Sequence, residues 1–292
     1  MADALARTLT ADGGVRGLAA VTTELVEEAR VRHGTLPTAT AALGRALTAA
    51  LLLGGLLKTD ERVSLQWSGD GPLGGILVDA TPDGAARGFV SRPQTHLPPR
   101  NGKLDVGGAV GRGLLCVMRV PPRGQPPYRS VVPLASGEIG QDVASYLVTS
   151  EQTPSVVAIG VFVHPDGRVG AAGGYLLQAM PGADAAAIDR LEENVATAPA
   201  PSEIVRAGLD AAGMVSSLMA GFRQGVLDER PVRFQCRCNR ERVECAILAL
   251  GRDEMMDVLA GERRAEVTCE FCATRYVVEE PELRALLDAS RT

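Results

Sequence analysis

Residues 234–242 read FQCRCNRER and residues 268–272 read TCEFC, and these two stretches decide how the chain is divided. Cys236 and Cys238 stand at i and i+2, which in an extended chain puts both sulfurs on one face where they can share a metal ion. Cys269 and Cys272 supply a second pair on a two-residue turn of the zinc-knuckle kind, with 30 residues between the pairs. Four soft ligands suit tetrahedral Zn2+, and a closed four-sulfur shell leaves no position for water or substrate, so the metal is expected to be structural rather than hydrolytic. One zinc per chain, held by Cys236, Cys238, Cys269 and Cys272, is the expectation. Separate buried thiols or a disulfide pair are the plainer alternative, weakened because four cysteines converge here while the other two lie elsewhere. Cys116, inside LLCVMRV, and Cys245, in a helix beginning near Arg240, are expected in the core rather than at the metal.

Outward from this cluster, residues 231–292 form a candidate second domain that ends in a short helix with Pro281 in its first turn. Residues 182–230 change texture to alanine, charge and a proline-rich break, ATAPAPSE, with helical spacing on either side. Ile188, Leu191 and Val195 mark one helix. Ile204, Ala211, Val215, Leu218 and Phe222 mark a second, interrupted by Gly208, Gly213 and Gly221. Each interior glycine costs about 1 kcal/mol relative to alanine, so the segment reads as a metastable helical linker. An ordinary helical pair packed permanently on the main domain fits the same pattern.

Residues 1–181 read as a sheet-and-helix core domain. A short strand lies near 15–22, helices cover 23–33 and 38–58 with Thr38 as N-cap, and VSLQW, GILVDA, GFV, LLCVMRV and SVVPL read as strands. A helix over 138–150, with Ile139, Val143, Tyr146 and Leu147 on one face, precedes the strands VVAIGVFV and GGYLLQAM. The fold class is therefore α+β: an N-terminal core domain over 1–181, a helical linker over 182–230 and a small zinc-binding domain over 231–292.

Composition narrows the function. The formal net charge is −5, and residues 231–292 carry 10 Arg against 12 Asp and Glu, so no positive field draws a phosphate backbone. Four thiolates and one Zn2+ add a further net −2, and aromatic residues are too few for a stacking platform. A zinc-ribbon nucleic-acid binder is the main alternative from another class, and the charge opposes it. Gly69, Gly71 and Gly74 satisfy GxGxxG, but GILVDA follows them as a strand rather than a helix, so a hairpin turn explains them better. No phosphate loop is present, and His33, His96 and His164 are scattered without a partnered nucleophile. Neither an enzyme nor a nucleotide binder is expected. The most apolar segment, 46–57, falls short of the roughly 20 residues that span a bilayer, and the N-terminal stretch lacks the pattern of a secretory signal. A cytoplasmic protein with reduced thiols is expected.

Metal-bound thiolates close together can be oxidised to disulfides by a strong oxidant. A domain with little core of its own should unfold when it loses the metal, because structural zinc binding is largely folding free energy. A marginal linker beside it could then come loose and expose Leu218, Met219 and Phe222.

These stretches together resemble the heat shock protein 33 family of redox-regulated bacterial chaperones. The resemblance is carried by FQCRCNRER and CEFCATRY in the C-terminal part, and by EARVRHGTLPTATAALGR, LQWSGDGPLGG, YLVTSEQTPS and AAGGYLLQAMPGA in the N-terminal part. It implies an ATP-independent holdase, inactive while reduced and zinc-bound, that captures unfolding client proteins after oxidation. It further implies that oxidation joins Cys269 to Cys272 and Cys236 to Cys238, releases zinc, unfolds the linker and favours a homodimer. Asn239 stands where serine often follows the CxC in this family, and both residues can cap the helix that starts at Arg240.

Overall fold

Residues 37–54, PTATAALGRALTAALLLG, carry apolar or small side chains on every face, and a helix of that composition must be enclosed. In the computed structural model, which describes residues 2–122 and 125–289, it is buried along nearly its whole length. The chain runs β1 (Ala4–Thr10), β2 (Val15–Val21), α1 (Thr23–His33), α2 (Pro37–Gly54), β3 (Arg62–Gly69), β4 (Gly75–Ala80), β5 (Ala85–Val90), α3 (Val106–Val110), β6 (Gly113–Val120) and β7 (Tyr128–Pro133). It continues through α4 (Ile139–Thr149), β8 (Ser155–Val163), β9 (Val169–Ala179), α5 (Ala185–Thr197), α6 (Pro201–Arg206), α7 (Ala211–Leu218), β10 (Gln224–Pro231) and β11 (Arg233–Phe234). A five-stranded sheet has the order β10-β1-β2-β9-β8 and a six-stranded sheet the order β11-β5-β4-β3-β6-β7. Helix α2 packs against strands of both sheets and forms the centre of this unit. The architecture is α+β, as the sequence predicts.

The chain divides into two compact units, one ending at Gln235 and one beginning at Cys236. The second comprises α8 (Arg240–Leu248), α9 (Arg252–Ala260), the hairpin β12 (Arg264–Thr268) and β13 (Arg275–Glu279), and α10 (Glu280–Ala289). Its core is small: Val243, Ile247, Met255, Leu259, Val278, Leu283 and Leu287.

Several local readings change on contact with the tertiary structure. Thr38 does not cap α2; Pro37 opens the helix, Leu36 is the N-cap residue, and the Thr38 hydroxyl instead lies 3.0 Å from His96 Nδ1. Strand β1 and helix α3 escaped notice. β1 alternates weakly; it forms a hairpin with β2, with Leu5 opposite Ala20, and its other edge pairs with β10 more than 200 residues away, with Ala4 opposite Pro231 and Thr8 opposite Leu227. Residues 224–230 of the segment read as a linker thus lie in strand β10, which runs on to Pro231. The second linker helix is two helices. Gly208 sits at φ +91 and ends the first, and Asp210 starts the next by accepting from Gly213 N at 2.7 Å.

Helices α5, α6 and α7 cover an apolar patch of the five-stranded sheet. Leu191, Ile204, Met214, Val215, Leu218 and Met219 are buried there against Val15, Ala19, Tyr175 and Leu177. The C-terminal end of α7 leaves orphan carbonyls, and α5 satisfies them: Asn194 Nδ2 donates to Leu218 O at 2.9 Å and Ala220 O at 3.0 Å, and Arg190 Nη1 to Gly221 O at 2.6 Å. The seat depends on a missing side chain. A Cβ at Gly17 of β2 would lie 2.6 Å from Met219 Sδ and 2.8 Å from Val215 Cγ2.

Just before the second unit, β11 pairs in parallel with β5, and Gln235 N donates to Ala86 O at 2.8 Å. Arg233 forms an ion pair with Asp83. The chain is therefore held to the six-stranded sheet immediately ahead of Cys236.

Gly17→Val should overpack the α7 seat at a cost of about 1–3 kcal/mol. Native-state hydrogen exchange should show faster exchange over residues 211–219; unchanged protection there would mean that α7 does not rest on this close approach.

Candidate metal centre

The first sulfur pair is set by a helix start. After Cys238, Asn239 adopts an extended conformation and its side chain accepts from Arg242 N at 2.9 Å, so α8 begins directly behind the CxC. Arg240 fastens that start to the hairpin, with Nη1 donating to Val277 O at 2.8 Å and Nη2 2.6 Å from Glu282 Oε2 on α10. The second pair is set by the β12–β13 turn. Cys269 N donates to Thr274 O at 2.9 Å, Ala273 N donates to Cys269 O at 2.8 Å, and Ala273 takes a left-handed φ of +56 that turns the chain back.

These two local structures bring all four sequence-selected cysteines together. Their sulfurs lie within 4.8 Å of one another, with Cys236 and Cys269 at 3.7 Å and Cys238 and Cys272 at 3.4 Å. Four sulfurs about 2.3 Å from one tetrahedral ion are separated by about 3.8 Å, so the donor set fits a single zinc-sized ion. Cys272 is buried and the other three are half-buried.

The electrostatics of the cluster favour a cation. Burial, followed by hydrogen bonding with Cys272 and Cys236, pushes the Cys269 thiol up to about 12. Burial also raises the Cys238 thiol. These two thiols resist ionisation on their own, and a divalent ion among the sulfurs would reverse the balance by stabilising thiolates.

Two further residues touch the sulfurs and were not singled out from sequence. Tyr276 Oη donates to Cys238 Sγ at 3.2 Å, and this bond, with burial second, raises the phenol to about 12. The Thr274 hydroxyl lies 3.2 Å from Cys272 Sγ. The available signal was the alternation Cys272, Thr274, Tyr276 within CATRY, leading onto β13.

The remaining cysteines stand apart from the cluster but not in the core. Cys245 is exposed, because the buried face of α8 is Val243 and Ile247 and residue 245 falls between them on the outer side. Cys116 is half-buried and accepts from Arg129 Nε at 3.2 Å, because it lies on the face of β6 opposite the buried Leu115 and Val117. The GxGxxG glycines lie at the β3–β4 hairpin, where Gly74 N donates to Gly71 O. His96 meets Thr38, and His164 stacks edge-on against Phe162 at 4.9 Å.

Comparison with known proteins agrees along the whole chain. The family model described as Hsp33 protein matches residues 3–279. The 33 kDa chaperonin of Geobacter sulfurreducens is 46% identical over 98% of this chain and 95% of its own length. That of Acaryochloris marina is 47% identical over 100% and 99%. The crystal structure of the 33 kDa chaperonin, a heat shock protein 33 homolog, from Thermotoga maritima superposes with a TM-score of 0.92 at 35% identity, covering 100% of this chain and 99% of that one.

Removing the cap behind the CxC should loosen the second unit. Asn239→Ala should destabilise it by about 1 kcal/mol, whereas Asn239→Ser should be close to neutral. Chemical denaturation followed by signals from residues 236–289 distinguishes the two; equal stability of both variants would remove Asn239 from the account.

Proposed function

The chain belongs to the heat shock protein 33 family, a family of chaperones rather than enzymes, and from that premise we propose that it is a redox-regulated, ATP-independent holdase. The observation that carries the regulatory part is the gathering of Cys236, Cys238, Cys269 and Cys272 within 4.8 Å in a unit with a small core of its own. In the reduced state these four sulfurs hold one zinc, which when bound keeps them as thiolates and ties α8 to the β12–β13 turn.

Oxidation undoes that tie by ordinary sulfur chemistry. A thiolate attacks one oxygen of a peroxide, the O–O bond breaks, hydroxide leaves, and the sulfur becomes a sulfenic acid. A neighbouring thiolate then displaces a second hydroxide and an S–S bond forms, so that two electrons pass from the sulfur pair to each peroxide. The resemblance favours pairs within each motif, Cys236 with Cys238 and Cys269 with Cys272. With all four donors consumed, the small core of the second unit is insufficient, and α5–α7 lose their docking. The buried apolar faces of Leu218 and Met219 then become available to unfolding clients, together with the half-buried Phe222. A homodimer is the form in which the oxidised chain binds them. Six free thiols suit a reducing compartment, and no helix among the described residues is long and apolar enough to cross a membrane; the cytoplasm is the proposed location.

Peroxide with mild heating should release about one zinc per chain and, on the same sample, confer the ability to suppress aggregation of a heated client. Zinc release without that gain would reduce the metal to a structural role, and full activity in the reduced, zinc-loaded protein would abolish the switch. Peptide mapping that found Cys236 joined to Cys269 would overturn the pairing. In the reduced state Cys269→Ser should weaken metal retention and raise hydrogen exchange across residues 236–289, because three sulfurs leave the shell open.

A further inference from the structure

Cys238 and Cys272, whose sulfurs lie 3.4 Å apart, come from different motifs, yet both are met by hydroxyls from one short stretch of chain. Tyr276 Oη donates to Cys238 Sγ at 3.2 Å, and the Cys272 thiol donates to Thr274 Oγ1 at 3.2 Å, a bond that reverses when the sulfur is a thiolate and has no proton to give. Thr274 and Tyr276 are two residues apart at the start of β13, so they project to the same side. Tyr276 is held in place from behind: its ring packs on the core of the second unit, and its residue lies opposite Val267 across the hairpin.

We propose that Tyr276 and Thr274 are positioning residues of the metal centre, whose hydroxyls donate to the Cys238 and Cys272 thiolates and thereby set how tightly the metal is held and how slowly these sulfurs meet peroxide. This rests on the zinc reading given above. A hydrogen bond donated to a thiolate stabilises its charge and favours the metal-bound form over the protonated one. The same bond draws electron density from the lone pair that must attack the peroxide oxygen, so the first S–O bond forms more slowly. The arrangement also couples fold to metal, since the hydroxyls are in register only while the β12–β13 hairpin is paired.

Cobalt-substituted and zinc-loaded full-length protein tests this with Tyr276→Phe, which keeps the ring, and Thr274→Val, which keeps the shape. Removing either donor should shift the sulfur-to-cobalt charge-transfer band to lower energy, weaken zinc affinity against a competing chelator by about tenfold or more, and speed zinc release by hydrogen peroxide. A purely structural role for the ring would leave the band in place. If the wild-type chain binds cobalt through four sulfurs and both variants match it in band position and chelator competition, the proposal is wrong and the metal reading stands. If the wild-type chain binds neither cobalt nor zinc, the metal reading itself fails and this one with it.

Discussion

Four sulfurs within 4.8 Å of one another, one of them buried, form a cluster that a single metal ion could join. Burial raises the thiols of Cys238 and Cys269 and so favours their protonated forms. As thiolates they repel one another unless a cation lies between them. Everything else in this unit is arranged around that cluster: Asn239 starts α8 behind one pair, Ala273 turns the chain behind the other, and Arg240 joins the two halves. Seven buried apolar residues are a modest core for such a unit.

The first unit follows a different logic. Its centre, α2, is apolar on every side and packed between two sheets, so its stability needs no metal. The contrast lies in the polar clasp by which α5 caps α7 and in the close seat at Gly17. Helix α7 is held both by these hydrogen bonds and by the buried side chains of Met214, Val215 and Leu218, with Met219 just after it. It also covers apolar side chains that a chaperone could use. The chain belongs to a chaperone family, and this covered patch is apolar throughout.

Much of this was legible in the residues themselves because the physics is local. Spacing alone selected Cys236, Cys238, Cys269 and Cys272, since two residues in an extended segment or a tight turn determine where a sulfur can point. The limits of α1 and the buried face of α4 followed from periodicity, and Asn239 as a cap followed from its place before a helix. Periodicity could not find β1, whose burial does not alternate regularly although it forms a hairpin with β2 and pairs with the distant β10 on its other edge. It also ran α6 and α7 together, because apolar spacing continues through Gly208 while the backbone there turns left-handed.

What the sequence determined by itself was part of the inventory: which four thiols can share a metal, and which strongly periodic segments, such as α1 and α4, are helices. What only the tertiary structure decided was the surroundings of that inventory. Cys245 points outward because Val243 and Ile247 take the buried face of α8, and Tyr276 reaches Cys238 because the β12–β13 pairing carries its strand back to the CxC. Spacing along a chain fixes direction over a few residues. Only packing fixes which distant side chain stands at the end of that direction.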